Sequence, residues 1–495
     1  MQNGTLLAAV DLGSNSFRLE IGRYEHGQIH RTEYLKETVR QGNGLDESRN
    51  LTPEAMQRGW DCLARFGERL AGIRKAQVRA VATQTLREAR NREVFLARAY
   101  GVLGFPIDVI SGREEARLIY RGVAHLLPQS DERRLVVDIG GRSTELILGQ
   151  QFDAKVVESY RVGSVAWSMK YFSQGDFTAA AFERAEVAAK AVLDKAVTAY
   201  RPGSWDLAYG SSGTIGAVAD ILGAAGGDAG IINRDGLDWL RDRLLAARSA
   251  DHVKLDGMKE DRRAVIGGGI SVLLAVFDLL EIDEMHAAQG ALRHGVLYDL
   301  LDREHGETDI RSITVQRLAT KFGADPAQAQ RVGQVTCHLL RQLRAGGDSA
   351  DELARRERKL GWAAQLHEIG SRSSHSDYHK HGAYILDNAD APGFAQPELH
   401  RLSLLVLGHR GKLRKLEADF EDELFVHHLL SLRLAVILCH ARRDPDLKGL
   451  QLRAANHQLM LNLRNDWAEN YPQSAHLLRE EVVAWQKTPW TLALV

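Results

Sequence analysis

The chain contains few cysteines, carries no excess charge of either sign and has no hydrophobic run long enough to cross a membrane. Its three cysteines are odd in number and far apart among 495 residues, which argues against a disulfide framework and favours a reducing, cytoplasmic location. The formal net charge of -1 gives no overall attraction to nucleic acid, and we expect no nucleic-acid partner. The longest apolar run, residues 267–280, contains Asp278 and is too short for a bilayer, so we expect no transmembrane segment.

The remaining composition is that of an ordinary globular protein. Hydrophobic residues make up 44% of the chain and charged residues 26%, and the length allows about three or four domains. No low-complexity tract separates these domains. The N-terminus lacks a basic segment before its apolar run, so we expect no signal peptide.

Two stretches of the chain share one pattern. Residues 10–22 read VDLGSNSFRLEIG and residues 137–149 read VDIGGRSTELILG, and they align without a gap. The alignment pairs Asp11 with Asp138, Gly13 with Gly140, Ser16 with Ser143, Leu19 with Leu146 and Gly22 with Gly149. Each copy predicts two strands joined by a tight Gly- and Ser-containing turn, with an Asp at the end of the first strand.

This repeat favours a phosphate site over a pair of ordinary hairpins. Backbone N–H groups in such turns bind anions, and an adjacent Asp can hold a divalent cation. Hairpin propensity alone does not explain why a duplicated loop keeps its Asp, Gly and Ser. We therefore predict that the two copies face each other and form a phosphate clamp.

The order of predicted elements indicates two similar halves. In the first half, three strands are followed by helix, strand, helix, strand and a helix at residues 112–127. This is the order of a ribonuclease-H-like domain, a mixed sheet with helices on its faces. The second half repeats it, so we predict ribonuclease-H-like domains over residues 1–130 and 131–304.

The remainder of the chain has a different periodicity. Residues 310–443 have a helical pattern throughout, whereas residues 450–463 alternate as a hairpin before a last helix at residues 474–486. We predict an all-helical domain over residues 305–443 and a small α+β domain over residues 444–495. The whole chain is then of the α/β class, with a helical domain and a small α+β domain appended.

Two polar segments follow strands of the predicted sheets. Residues 83–87 read TQTLR and residues 210–214 read GSSGT, both at strand ends where doubly wound sheets bind ligands. Gly213 opens a helix whose N-terminal dipole favours an anion. Each segment also has an interpretation without a binding role. GSSGT can be a turn that caps a helix, and Arg87 can be a solvated surface residue.

The segment SGREE at residues 111–115 distinguishes two adjacent carboxylates. If Ser111 is the N-cap, Glu114 lies at N3 and completes a capping box, a structural role worth about 1 kcal/mol or less. Glu115 points to another face of the helix, toward the cleft, where it can accept a proton from water. A first-turn acid favoured by the helix dipole is the alternative for Glu115.

Together these motifs resemble the exopolyphosphatase and guanosine pentaphosphate phosphohydrolase family, within the superfamily of sugar kinases, actin and heat-shock chaperones. The resemblance rests on DLGSNS, TLREA, ISGREEARLIY, VVDIGG with STEL, GSSGT, GALRHGVLYD and LHEIG with HGAYIL, so it covers nearly the whole chain. It implies two domains of the actin-like ATPase superfamily, an HD-like helical domain and a homodimer.

The resemblance also implies roles for individual residues. Glu115 would be the catalytic base, and Asp138 and Glu145 would hold magnesium, Mg2+. The residues implied to surround the phosphates are Asp11, Ser14, Asn15, Ser16, Arg87, Gly140, Gly141, Ser143, Gly210, Ser211, Ser212, Gly213 and Thr214. Arg142 departs from the third glycine common in such families, and either adds a cation beside the phosphate or points to solvent.

Two further features leave alternatives open. The glycine run at residues 267–269 occupies the place where ATP-using members cradle adenosine, but close helix packing explains it equally well. The helical region carries His338, His367, Glu368, His375, His379, His381 and His409. Its HD pair is replaced by His367 and Glu368, and the closing acid is missing at Ala435 and Val436, which favours a scaffold or polyanion role over metal binding.

We expect a magnesium-dependent exopolyphosphatase that releases orthophosphate from the ends of inorganic polyphosphate. The alternative within the same chemistry is hydrolysis of guanosine pentaphosphate, guanosine-5'-triphosphate,3'-diphosphate, at its 5' end. A more distant alternative is a nucleotide-binding switch of the actin or chaperone type. Basic clusters at residues 355–359 and 410–415 are candidates for holding a long polyanion.

Overall fold

The structure is a computed structural model that describes residues 2–303, 309–343, 350–374 and 376–495. Its contacts group the chain into two compact units, residues 1–306 and 307–495. The four-part division and its boundaries stay a prediction. Residues 304–308, where the boundary between the second and third predicted domains falls, lie outside the described part of the chain.

The first half of unit 1 contains the five strands and three longer helices that the sequence order predicts, together with a short helix, Gln84–Glu88, that it does not. Its strands β1–β5 are Leu6–Leu12, Phe17–Glu25, Gln28–Glu37, Val78–Ala82 and Ile107–Val109. Its helices α1–α4 are Pro53–Leu70, Gln84–Glu88, Arg92–Leu103 and Gly112–Leu126. The sheet order is β3-β2-β1-β4-β5, antiparallel across β3-β2-β1 and parallel across β1-β4-β5.

The second half repeats this plan with one added edge strand. Its strands β6–β11 are Arg133–Ile139, Thr144–Gln150, Asp153–Tyr160, Leu207–Ser211, Ile231–Asn233 and Glu284–Ala287. Its helices α5–α10 are Ser164–Tyr171, Ala179–Leu193, Ser212–Ala224, Arg234–Ala247, Ile266–Leu280 and Leu292–Arg303. The sheet order is β10-β11-β9-β6-β7-β8. Helix α5 and strand β10 are absent from the sequence prediction, because each is short and lacks a clear hydrophobic period.

The last helix of each half packs on the sheet of the other half. Helix α4 lies against β7 and β8, whereas α10 lies against β1. Between the two sheets, both helices share one hydrophobic core with residues of β1, β4, β6 and β7. Their backbones touch, since a Cβ on Gly295 would lie 1.7 Å from the Leu118 carbonyl oxygen. Glycine is required at this crossing because no side chain fits there.

Helix α9 is the buried centre of the second half. The helical stretch Glu260–Leu280 is long and apolar enough to span a membrane by length and composition alone, and most of it is buried. The predicted single helix over residues 261–280 begins instead as a 3₁₀ turn at Glu260–Val265. The α-helix proper begins at Ile266 and packs in the core with α5 and α6.

Unit 2 is helical up to residue 438 and ends in a small sheet. Its helices α11–α16 are Ile310–Phe322, Pro326–Gln342, Ala350–Leu366, Tyr378–Asn388, Gln396–Gly408 and Glu423–Leu438. The last segment contains β12–β14, Gln451–Ala455, Gln458–Asn462 and Thr491–Leu494, with α17 and α18 at Trp467–Asn470 and Pro472–Trp485. Buried residues from Val315 to Leu492 form one hydrophobic cluster, so the small sheet shares the core of the helices.

Candidate active site

The turns of the two duplicated hairpins meet in unit 1. In the first hairpin Leu12 pairs with Phe17, and in the second Ile139 pairs with Thr144, so both turns have the same length. A Cβ on Gly141 would lie 3.2 Å from the Cβ of Ser14. The structure therefore brings the two phosphate-type turns into contact, as the repeat predicts.

A cleft of about 320 Å³ opens beside these turns. The predicted site residues that line it are Asp11, Ser14, Asn15, Ser16, Glu115, Asp138, Gly140, Gly141, Ser143, Ser212, Gly213 and Thr214. Arg87, Glu145, Gly210 and Ser211 are not part of this lining. The Ser211 hydroxyl instead donates to the Gly290 carbonyl oxygen at 2.9 Å.

Glu115 faces this cleft, and Arg87 holds it. Nη1 of Arg87 donates to Oε2 of Glu115 at 2.8 Å and to the Ile110 carbonyl oxygen at 2.8 Å. Burial raises the pKa of Glu115, and the positive charge of Arg87 opposes that rise. In this structure Arg87 positions the Glu115 carboxylate, and its expected contact with a phosphate stays a prediction.

Glu114 points away from the cleft into a buried ion-pair network. The Ser111 hydroxyl accepts from the Glu114 N–H at 3.1 Å, as the N-cap prediction requires. The Glu114 carboxylate forms a bidentate pair with Arg117, with both contacts at 2.8 Å, and Arg79 lies 3.6 Å away. The capping role predicted for Glu114 is therefore incomplete, because its side chain also neutralises the buried arginines Arg117 and Arg79.

The two hairpins differ in charge at one equivalent position. Asp11 is paired in register with Arg18, and Nη1 of Arg18 lies 3.1 Å from its Oδ2. In the second hairpin the same register pairs Asp138 with Glu145, two acids. The first copy thus neutralises its own carboxylate, whereas the second places two carboxylates side by side.

Burial dominates the electrostatics of these two acids. It raises the pKa of Asp138 to about 7, with a further contribution from the charge of Glu115. Burial likewise raises the pKa of Glu145, with added repulsion from Glu115 and Asp138. Ser159 donates to Oε1 of Glu145 at 2.7 Å, while Oε2 is buried and lacks a hydrogen-bond partner among the described residues. Such an oxygen needs a proton or a cation.

Basic residues that the sequence analysis missed complete the cleft wall. Arg18, Lys36, Lys259, Arg262 and Arg293 all line it. The repeat alignment already pairs Arg18 with Glu145, so the position of Arg18 could have been found from it. Arg293 lies in the GALRHGVLYD motif without having been assigned a role there, whereas no local pattern marks Lys36, Lys259 or Arg262, which only the fold brings to the cleft.

Arg262 is the most unusual of these residues. It is 8% exposed, and burial lowers its pKa. Its nearest carboxylate, Asp261, is 3.9 Å away, and within the described residues its guanidinium has no hydrogen-bond acceptor. A Cβ on Gly213 would lie 2.4 Å from its Nη2, so the guanidinium occupies the space left by that glycine at the start of α7. An anion at this helix end would satisfy both groups.

Arg142 links the second turn to the first half of unit 1. Its Nη1 donates to the Gly42 carbonyl oxygen at 3.1 Å, and its Nη2 lies 3.2 Å from the Glu88 carboxylate. The side chain is 22% exposed. Arg142 therefore neither lines the phosphate cleft nor extends into solvent, the two roles expected from sequence.

Comparison with known proteins identifies the family. The model of the "Ppx/GppA phosphatase family" matches residues 21–304, and that of "Ppx/GppA phosphatase, domain III" matches residues 310–482. The chain belongs to the Ppx/GppA phosphatase family. Its resemblance to this family is thereby confirmed, and with it an actin-like fold of mixed sheets followed by a helical part.

Similar proteins within this family carry two different names. A guanosine-5'-triphosphate,3'-diphosphate pyrophosphatase from Pseudoalteromonas translucida is 38% identical over 98% of this chain and 97% of its own. One from Vibrio atlanticus is 39% identical over the same shares. The crystal structure of an exopolyphosphatase from Cytophaga hutchinsonii has a TM-score of 0.55 at 25% identity and covers 60% of this chain and 98% of its own.

Asp138 in the cleft and Glu145, its partner in the strand register, fit a magnesium ion whose other ligands are water and substrate phosphate. Among the described residues, no group of three or more His, Cys, Asp or Glu side chains is arranged as a ready-made metal site. Magnesium commonly needs only one or two carboxylates, because water and substrate phosphates supply its other ligands. The unpartnered Oε2 of Glu145 and the adjacent Asp138 match that requirement.

We expect Asp138→Asn and Glu145→Gln each to raise the magnesium concentration that gives half-maximal phosphate release. Each change removes a negative charge from a site where substrate phosphate alone does not fix the ion's position. The measurement is a magnesium titration of activity in each variant. The matched control is Asp153→Asn, an exposed acid on β8 that pairs with Lys155. If the magnesium titration is unchanged in both Asp138→Asn and Glu145→Gln, these two residues do not hold the ion.

The glycine run at residues 267–269 serves helix packing. A Cβ on Gly268 would lie 2.5 Å from the Ser164 carbonyl oxygen, and one on Gly267 would lie 2.8 Å from the ring of Phe177. All three glycines are buried. Close packing of α9 against α5, Phe177 and Thr214 of α7 therefore accounts for the run, as the second of its two interpretations states.

Three histidines of unit 2, His367, His379 and His409, form a buried cluster. Nδ1 of His367 donates to the Ala364 carbonyl oxygen and Nδ1 of His409 to that of Val406, both at 2.6 Å. The two ring centroids are 5.4 Å apart, and burial lowers the pKa of both histidines. His375 lies outside the described residues. These contacts favour the scaffold interpretation, and the HD-like description stays a prediction.

Proposed function

We propose that this chain hydrolyses guanosine pentaphosphate at its 5' end, releasing orthophosphate and leaving guanosine-5'-diphosphate,3'-diphosphate. The observation that carries the proposal is the similarity over nearly the full length of both proteins to relatives named for that substrate. Our expectation from motifs placed inorganic polyphosphate first. The comparisons favour the alternative, because the motifs describe chemistry that both substrates share.

Hydrolysis of a terminal phosphoanhydride needs a base, charge stabilisation and a held substrate. In the proposed reaction, Glu115 accepts a proton from water as the water oxygen attacks the γ-phosphorus. The bond from that phosphorus to the bridging oxygen breaks, and its electron pair stays on the β-phosphate. A bound magnesium ion would neutralise charge on the phosphoryl oxygens, with Asp138 and Glu145 as the residues that would hold it.

The basic wall of the cleft suits a substrate with many phosphates. Arg262 and the N-terminus of α7 lie together, where they can stabilise negative charge on the leaving phosphate. Arg18 and Arg293 line the same cleft beside the duplicated turns. Guanosine pentaphosphate carries phosphates at both ends of its ribose, so it can engage more than one of these side chains at once.

Polyphosphate hydrolysis remains the second candidate, favoured by the likeness to a solved exopolyphosphatase structure. Part of the basic cluster at residues 355–359, a candidate for holding a long polyanion, is ion-paired within unit 2, and Arg18 and Arg293 in the cleft are ion-paired as well. Lys359 lies 3.3 Å from Glu398, and Arg358 lies 3.5 Å from Asp309. Ion pairing within unit 2 thus offsets part of that charge.

We expect guanosine pentaphosphate to be the best of three substrates compared in parallel. The other two are tripolyphosphate and a long-chain polyphosphate, each assayed for released orthophosphate with magnesium present. The expected result is the highest kcat/KM for guanosine pentaphosphate. A higher kcat/KM for long polyphosphate would assign the chain to the exopolyphosphatases instead.

A further inference from the structure

The cleft continues from the phosphate turns along one face of helix α7. Gly213, Gly216, Ala217 and Asp220 all line it, and their spacing of three, four and seven residues places them on one helix face. A Cβ on Gly216 would have no atom within 4 Å, so the face is open at its midpoint. A flat group can therefore lie against α7 beyond the phosphate region.

Asp220 closes the far end of this face together with Lys259. Nζ of Lys259 donates to Oδ2 of Asp220 at 3.0 Å, and both residues line the cleft. With a rise of about 1.5 Å per residue, Asp220 lies roughly 10 Å beyond Gly213, about the span of a nucleoside. The pair therefore stands where the base of a nucleotide would end if its 5' phosphates sat at the start of α7.

We propose that Asp220 and Lys259 recognise the guanine base of the substrate. This proposal rests on the proposed function and names the part of the same cleft that selects the base. Guanine offers an acceptor at O6 and donors at N1 and N2 along one edge. The Asp220 carboxylate accepts from N1–H and N2–H, and the Lys259 ammonium donates to O6.

The same pair discriminates against adenine. Adenine presents an amino group where guanine has O6 and an unprotonated N1 where guanine has a donor. The ammonium of Lys259 would then face an amino group, and Asp220 would face a lone pair, so neither contact forms. The acidic and basic ends of the pair thus match guanine in one orientation only.

An exposed Lys–Asp pair elsewhere in unit 1 provides the matched comparison. Asp153 and Lys155 form a contact with side chains 70% and 59% exposed, similar to the 49% and 70% of Asp220 and Lys259. The pair on β8 does not line the cleft, whereas the pair at α7 does. Position in the cleft, rather than the ion pair itself, is what distinguishes Asp220.

The test compares guanosine pentaphosphate with its adenine analogue, adenosine-5'-triphosphate,3'-diphosphate, in the full-length protein. We expect kcat/KM for the guanine compound to be higher by roughly 10- to 100-fold, the discrimination of a good bidentate contact. Asp220→Asn should reduce this ratio to within about threefold of one, because an amide cannot accept from both N1 and N2. Asp153→Asn should leave the ratio at its wild-type value.

Calorimetry of nucleotide binding gives a second test, in which Asp220→Asn is expected to gain affinity for a different base. Xanthine carries an oxygen at C2 in place of the amino group, so an Asn side chain can accept from N1–H and donate to that oxygen. Wild-type protein should bind GTP more tightly than xanthosine triphosphate, and Asp220→Asn should reverse that order. A ratio near one in the wild type, a ratio unchanged by Asp220→Asn, or no reversal would each overturn the base site.

Failure of the proposed function gives a different result. If the wild type releases no phosphate from guanosine pentaphosphate, the substrate assignment is wrong. If it hydrolyses the guanine and adenine compounds equally well, the reaction stands and the base site falls.

Discussion

Replacement of Glu115 by glutamine is expected to lower kcat for phosphate release by roughly 10²- to 10⁴-fold, the usual contribution of a positioned general base. The amide keeps the shape of the side chain and can still contact Arg87, but it cannot take a proton from water. Because the substrate contacts of the cleft remain, KM should change little. Steady-state kinetics on guanosine pentaphosphate, with thermal unfolding to confirm the fold, provide the measurement.

Glu114→Gln is the matched neighbour on the same helix. It should lower stability, because it leaves Arg117 and Arg79 short of a counter-charge, while the folded protein keeps most of its turnover. The reverse outcome, an inactive Glu114 variant and an active Glu115 variant, would exchange the roles of the two carboxylates.

Asp299→Asn is expected to lower the free energy of unfolding by about 3–5 kcal/mol, the cost of breaking a buried ion pair from one side. Asp299 is 1% exposed, and its carboxylate lies 2.6 Å from each of Arg79, Arg117 and Arg303. Removing its charge leaves these arginines in a low-dielectric core with less compensation. Denaturant unfolding at neutral pH measures the loss, and Asp153→Asn should stay within about 0.5 kcal/mol of the wild type.

The pH dependence of the unfolding free energy, measured for the wild type and for Asp299→Asn, tests whether the lost charge causes the loss of stability. The three arginines hold the pKa of Asp299 well below its usual range, despite its burial. A depressed folded-state pKa contributes stability above the unfolded pKa of about 3.9, and that contribution is lost as pH falls through the folded value. The gap between wild type and Asp299→Asn should therefore be constant near neutrality and narrow only in acid. A loss below about 1 kcal/mol at neutral pH would contradict the argument.

Local patterns predicted the site-bearing elements well. The repeat located both hairpins, and the Ser111 N-cap correctly separated Glu115, which faces the cleft, from Glu114, which does not. These features depend on residues a few positions apart, where sequence spacing fixes geometry.

Features that depend on distant residues escaped prediction. Arg87 carries the motif of a phosphate ligand, yet the fold brings its guanidinium to Glu115. Arg262 lies in a short 3₁₀ turn without any motif, and only the packing of that turn against α7 places it in the cleft. The sequence order assigns α4 and α10 each to its own half, whereas their apolar faces pack on the opposite sheets.

The choice of substrate is a further limit of motif reasoning. In the proposed reaction, Glu115, Asp138 and the Gly-Ser turns act on the terminal phosphate, which is chemically the same in polyphosphate and guanosine pentaphosphate. The leaving group differs, and residues such as Asp220 that would contact it carry no recognisable signature. Full-length similarity to named relatives was needed to reverse the order of the two candidates.

The exchanged packing of α4 and α10 has a mechanical consequence. Since α4 packs on β7 and β8, Glu115 is attached to the same sheet as Asp138 and Glu145, although in sequence it belongs to the first half. Asp11 and Arg87 belong to the first half of unit 1. Because the Arg87–Glu115 ion pair joins that half to α4, separating the two halves about the crossing of Gly122 and Gly295 would break it. The position of the proposed base is thus set from both sides, by the packing of α4 on the second sheet and by its contact with Arg87 from the first half.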